Sequence, residues 1–189
     1  MFLKKKRIFR FFFLNSVKGK EYKVPHHTYN RKEILENITP IIENTAMRYG
    51  VIPIEIELVK ESSRWFLRVY LFSKDHDINL EDCEKVSRGL DNLLDDLIPF
   101  KYYLEISSPG VEKKLKSEKE YIIFNGKSID LKLKKPLHEN EDKHFICKIV
   151  DYNSTDGLTV HRFMDKKDYT IKLEDIASAN LYDDKIDTK

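Results

Sequence analysis

The sequence predicts an α+β protein, an N-terminal α-β-β-α-β domain followed by a small β-barrel. Three observations point there. Two segments, 31–49 and 80–97, carry apolar residues at the 3,4 spacing of an amphipathic helix. The runs beside them, Pro53–Val59, Trp65–Phe72 and Tyr102–Ser107, alternate or are rich in strand formers. Beyond residue 113 the chain holds short strand-like runs about ten to fifteen residues apart with turn residues between them, the spacing of a small barrel.

The 189 residues are 35% charged and 41% hydrophobic, which suits a globular chain with small cores. The formal charge of +2 is unevenly spread: residues 1–29 carry +7, residues 30–112 carry −6 and residues 113–189 carry +1. These three regions are the expected organisation: a basic extension, an α/β domain, and a barrel with a short tail. Residues 1–29 show no core-forming periodicity, so the extension is expected to be disordered and dispensable for folding. Lys4 to Arg7 followed by Ile8 to Leu14 resembles the charged start and apolar core of a signal peptide. Arg10 interrupts that core, however, and no small-residue cleavage site follows. An organelle transit peptide and an arm that touches RNA or a membrane surface stay open beside the plain terminal extension.

The elements follow in order. Ile34, Ile38, Ile41, Ile42, Thr45 and Tyr49 line one face of a helix over 31–49. Gly50 stops it, and Pro40 removes one internal hydrogen bond. Ile54, Ile56 and Leu58 are expected to point inward from the first strand. Glu61 to Ser63 turns the chain into the second strand, completing a hairpin. Asn79 is a helix N-cap with Glu81 and Asp82 in the favourable first turn. The helix it opens runs to Leu97, burying Leu80, Cys83, Val86, Leu90, Leu93, Leu94 and Leu97. The strand Tyr102–Ser107 then completes a three-stranded sheet covered by two helices.

Ser107, Ser108, Pro109 and Gly110 form the junction. Proline presets φ for the second position of a type II turn, and Gly110 accepts the positive φ of the third. Past it, Ser117 and Glu120 make a capping box for a short helix through Phe124, ended by Asn125 and Gly126. Strands are expected at 128–133, 145–151, 157–163 and 169–173, with a last turn or strand at 176–181.

No catalytic constellation stands out. The Ser107–Gly110 context lacks the G-x-S-x-G elbow, and with only six glycines there is no phosphate-cradling loop. Cys83 and Cys147 sit inside apolar patterns and read as reduced core residues. His144 and Cys147 have ligand-like spacing but no second pair, so no metal or other cofactor is expected. No apolar run approaches the ~20 residues that span a bilayer. What stands out is lysine. Lys113, Lys114 and Lys116 follow the junction, with Lys119 and Lys127 beyond them. Lys132 and Lys134 alternate outward from Ile129, Leu131 and Leu133, and Lys135 follows. Together they make a candidate strip for RNA phosphates, with salt-dependent affinity and little sequence reading, beside the plain alternative of an ordinary solvated lysine surface.

Leu104 through Leu115, with its Leu-Glu-Ile-Ser-Ser-Pro-Gly run, resembles the central motif of the bacterial ribosome maturation factor RimP family. Trp65 to Tyr70, Leu80 to Arg88, Phe124 to Lys127 and Ile176 to Ala179 resemble further segments of that family. The ordered set covers roughly residues 31–183. Three features depart from the pattern. Glu112-Lys113-Lys114 replaces the usual Asp-Arg-Pro, so Lys113 lacks the bidentate arginine fork. Cys147 stands where glycine is usual in a barrel strand. The extension has no counterpart. The resemblance implies an SH3- or Sm-like barrel in the second domain. It also implies a cytoplasmic, monomeric, non-enzymatic factor for maturation of the small ribosomal subunit. Its partners would be the immature small subunit, rRNA and the small-subunit protein of the decoding centre, with no membrane. A generic RNA-binding barrel protein, or an RNA-processing enzyme with dispersed carboxylates, are the alternatives.

Overall fold

The computed structural model describes residues 16–18, 29–110, 113–138 and 142–182, and the chain divides after Pro109 into two units. The first unit holds β1 (Ser16–Lys18), α1 (Arg31–Arg48), β2 (Ile52–Glu61), β3 (Arg64–Phe72), α2 (Leu80–Gly89) and β4 (Tyr102–Ser107). Its sheet runs β1-β4-β3-β2, with β4 parallel to β3 and the other pairs antiparallel.

Asn30 opens α1, its side chain accepting from Glu33 N–H, and the helix continues through Pro40. Gly50, at φ +73°, ends the segment as expected. Ile34, Ile38, Ile42, Thr45 and Ala46 are buried, while Tyr49 at the end of the predicted stripe is exposed. The β2–β3 hairpin closes on Ser62 and Ser63 at φ 45° and 72°, the two positive angles of a type I′ turn. A bulge between Pro53 and Glu55 leaves Ile54 without a cross-strand partner, so Ile56 and Leu58 reach the core and Ile54 does not.

Two expectations for this unit are corrected. The sheet has four strands, not three: Ser16–Lys18, inside the predicted extension, pairs with Tyr102–Leu104 along the outer edge of β4. The rest of residues 1–28 lies outside the described residues. The second helix ends at Gly89 rather than Leu97. Asn92 takes φ +65° and the chain continues in turns, so Leu93 and Leu97 are exposed while Leu90, Leu94 and Ile98 still reach the core. Leu80, in the first turn of α2, is also exposed. Helical periodicity cannot see such a break, because a turn can return apolar residues to the same core. Gly89 lies where α2 meets α1: a Cβ there would sit 2.7 Å from Thr45 Cγ2.

The second unit holds α3 (Glu118–Ile123), β5 (Ser128–Leu133), β6 (His144–Asn153), β7 (Gly157–Arg162), β8 (Lys167–Ile171) and β9 (Ile176–Leu181), with a 3-10 turn at Leu173–Asp175. The strand positions expected from sequence hold to within a few residues, and 176–181 is a strand. The sheet is antiparallel in the order β8-β7-β6-β5-β9. The expected SH3- or Sm-like barrel is not seen, because β8 and β9 are not paired among the described residues. The outer edge of β9 is instead taken by residues 113–115. Lys114 bridges Asn180, Leu115 N–H donates to Ala179 O (2.8 Å) and Leu181 N–H to Lys113 O (2.8 Å).

The inner face of this sheet buries Leu115, Ile129, Leu131, Leu133, Cys147, Ile149, Leu158, Val160, Ile171 and Ala179. Cys83 and Cys147 are both free and buried, and burial pushes their thiols up to about 11 and about 12. Among the described residues no helix is long and apolar enough to cross a membrane.

Candidate nucleic-acid interface

The lysines singled out from sequence separate into two sets. Lys113 leaves the strip. Its Nζ lies 2.8 Å from Glu120 Oε1, and both side chains are almost fully buried, at 6% and 8% exposed. Glu120 Oε2 accepts in addition the N–H of Lys116 (2.6 Å), the N–H of Ser117 (2.9 Å) and the Ser117 hydroxyl (3.2 Å). The capping box expected from Ser117 and Glu120 is therefore the centre of a larger clamp. It ties the 113–117 segment to α3, and hence to the edge of β9. Burial by itself would raise the pKa of Glu120. Lys113 and the two backbone N–H groups outweigh it and hold the carboxyl below its ordinary range.

Lys114 and Lys132 come together on the outward face. Strand β9 runs between them: Lys114 stands opposite Asn180, and Lys132 opposite Ser178, two residues away on the same face. Residue parity carries that face across the sheet through Asp130, His144, Lys148, His161 and Asp168, by the pairs Lys132–His144, Lys148–His161 and His161–Asp168. Lys114, Lys132, His144, Lys148 and Asp168 are exposed. Lys116 is exposed beside a cleft of about 340 Å³ that it shares with Lys114, Tyr121 and residues 176–179. Lys134 and Lys135 are exposed just past the end of β5, where Lys134 N–H donates to Asp175 O (2.8 Å). The acids on this face are engaged, Asp130 with His144 and Asp168 with His161 Nδ1 at 2.6 Å. The result is a polar surface with lysines spaced over several strands, a pattern suited to a phosphate backbone.

Sequence reasoning missed Lys148, Ser178 and Asn180. The alternation of His144, Ile146 and Lys148 could have placed Lys148 outward. Only the strand order, with β9 beside β5, puts it and Lys114 on one face.

The junction residues differ from expectation. Ser107 is the buried last residue of β4, and Gly110 does not take the positive φ of a type II turn; its φ lies outside the left-handed region, and an added Cβ would meet nothing within 4 Å. Lys113 N–H donates to Gly110 O at 3.0 Å.

In the first unit, the sheet face away from the core carries an arginine clamp. Arg68 Nε donates to Glu105 (2.7 Å), and its two terminal nitrogens donate to both oxygens of Glu61 (2.8 and 2.9 Å). Phe66 stacks on Tyr103 at 5.3 Å beside it, and Arg64 lies over the Tyr103 ring. His144 and Cys147 fall on opposite faces of β6, one exposed and one buried, so they share no ligand site. No group of three or more metal-type side chains occurs among the described residues.

The family model described as the RimP N-terminal domain matches residues 41–112. The match spans the second half of α1 and all of β2, β3, α2 and β4, and it ends where the lysine-rich segment begins.

Proposed function

Because the chain carries the N-terminal domain of the RimP family of ribosome maturation factors, we propose that it is a non-enzymatic assembly factor for the small ribosomal subunit. In this reading it acts in the cytoplasm as a monomer, binding immature rRNA together with a small-subunit ribosomal protein, that of the decoding centre. The RimP domain at residues 41–112 is the observation that carries the reading. The outward lysines of the second unit supply the chemistry for RNA: Lys114, Lys132 and Lys148 sit on one solvated face, with Lys116, Lys134 and Lys135 beside it. Each phosphate they neutralise releases counterions, so affinity falls steeply with salt. The acidic balance of residues 30–112 suits contact with a basic ribosomal protein.

Binding energy then acts as a chaperone. The factor favours one local arrangement of RNA and protein and leaves when the mature contacts replace its own. Sucrose-gradient sedimentation tests this: the protein should travel with immature small subunits and be absent from mature ones. An RNA-cleavage assay on the same fractions separates the RNA-processing alternative. Equal binding to any RNA, without enrichment on immature subunits, would leave only a generic RNA-binding protein.

A further inference from the structure

The β7–β8 turn is braced from beneath by side chains of its own. Arg162, the last residue of β7, is buried beneath it with its side chain 3% exposed. Its Nη2 meets Asp165 Oδ2 at 2.5 Å and the Tyr169 hydroxyl at 3.1 Å, and the Tyr169 hydroxyl donates to Asp165 at 2.6 Å. The guanidinium also lies over the rings of Tyr169 (4.8 Å) and Phe145 (5.5 Å). Lys166 N–H closes on Arg162 O at 3.0 Å, and Lys166 holds φ +57°. This brace holds up two apolar side chains: Phe163 is 43% exposed and Met164 76%. Phe163 is set edge-to-face against His161 at 6.3 Å, and His161 belongs to the outward face. Lys166 and Lys167 flank the tip and are exposed, and Lys148 lies across from His161. The two nearby acids are engaged, Asp165 with Arg162 and Asp168 with His161.

We propose that this turn is a stacking site for single-stranded RNA. An unpaired base lies on the Phe163 ring with Met164 beside it, and Lys148, Lys166 and Lys167 hold the flanking phosphates. The chemistry is that of single-strand binding in general, an aromatic face for the base and cations for the backbone, with little sequence preference. The flanking lysines favour RNA over an apolar protein groove, which would have to desolvate them. A rigid tip avoids the ordering cost that a loose loop would meet on binding. The inference rests on the reading that the outward face of this unit binds RNA, and it adds where an unpaired base sits.

The test uses the full chain and a short fluorescein-labelled, uridine-rich RNA, followed by anisotropy over a salt series. Phe163→Ala and Phe163→Leu should each weaken binding, by about 5- to 150-fold for loss of one stacked base, with the salt slope unchanged because no charge is removed. Phe163→Trp should bind at least as well as the parent. The leucine variant keeps apolar volume while removing the aromatic face, so it decides the matter even where alanine disturbs the turn. If Phe163→Leu binds RNA like the parent while charge reversal at Lys132 still lowers the salt slope, the stacking site is wrong and the RNA reading survives. If it binds RNA normally but loses a small-subunit ribosomal protein, the tip is a protein anchor and the proposal is overturned. If the parent does not bind RNA at any salt, both readings fall together.

Discussion

Replacing Glu120 by alanine should strongly destabilise the second unit, although Glu120 sits in a helix of only six residues. The substitution leaves Lys113, 6% exposed, as a buried cation without Glu120, and it strips an acceptor from the N–H groups of Lys116 and Ser117. Breaking a buried ion pair from one side costs about 3–5 kcal/mol. The two N–H groups belong to exposed residues that water can reach, so they add toward the lower end of the ~1–3 kcal/mol for a lost partner. A loss of about 4 kcal/mol is a large share of the 5–15 kcal/mol that holds a typical domain together. In a unit of this size it lowers the melting temperature by roughly 15–30 °C. Lys113→Met should cost less, about 1–3 kcal/mol, because Glu120 keeps its two N–H partners and the Ser117 hydroxyl.

The pH dependence of the same clamp has a definite sign. The folded pKa of Glu120 is depressed below its ordinary value of 4.5, so the unfolded chain binds the proton more tightly. The clamp's stabilisation is complete above that ordinary value and disappears as pH falls through the folded one. Glu120→Gln should flatten this part of the acid-unfolding curve. Urea and thermal unfolding followed by circular dichroism measure all three variants. Equal stability of the parent and Glu120→Ala, or a larger loss from Lys113→Met, would refute the reasoning. Lys113 would then return to the list of RNA-facing residues.

Four further outcomes are expected. Lys114→Glu together with Lys132→Glu should leave the melting curve in place and lower the slope of log affinity against log salt for RNA by about 1.5, at ~0.7 per phosphate contact on a single strand; an unchanged slope would remove both from the interface. Gly157→Ala should destabilise the second unit by several kcal/mol, since its φ is +108° and a Cβ would lie 2.4 Å from the Ile171 carbonyl oxygen. Gly110→Ala, by contrast, should be nearly neutral in the same unfolding assay. A chain beginning at Tyr29 should show faster hydrogen exchange at the β4 amides that face β1, near Tyr102 to Leu104; equal exchange in both chains would mean that β1 contributes nothing to the sheet.

Much of this protein was readable from local rules. Periodicity located α1, the hairpin, β4 and the strands of the second unit, because each needs only one buried face and a turn at its end. Asn79 and Ser117 announced their helices, because an N-cap satisfies backbone groups a few residues away. The Leu104-to-Leu115 motif led to the RimP family, and the match over residues 41–112 agrees with it for the first unit.

What only the tertiary structure decided depends on neighbours far along the chain. Lys113 and Lys114 are adjacent in sequence and equal in charge, yet one is buried on Glu120 and the other is exposed beside Asn180. Their difference comes from pairing 113–115 with β9, about sixty-five residues on, and no local pattern contains that register. Strand β1 was invisible for a related reason: three residues carry too little alternation to be read, and their hydrogen-bonding partners lie on a strand that begins at Tyr102. Sequence determined most of the helices and strands, because those are short-range balances of burial and backbone geometry. Tertiary pairing determined which lysines share a face, because that depends on strand order.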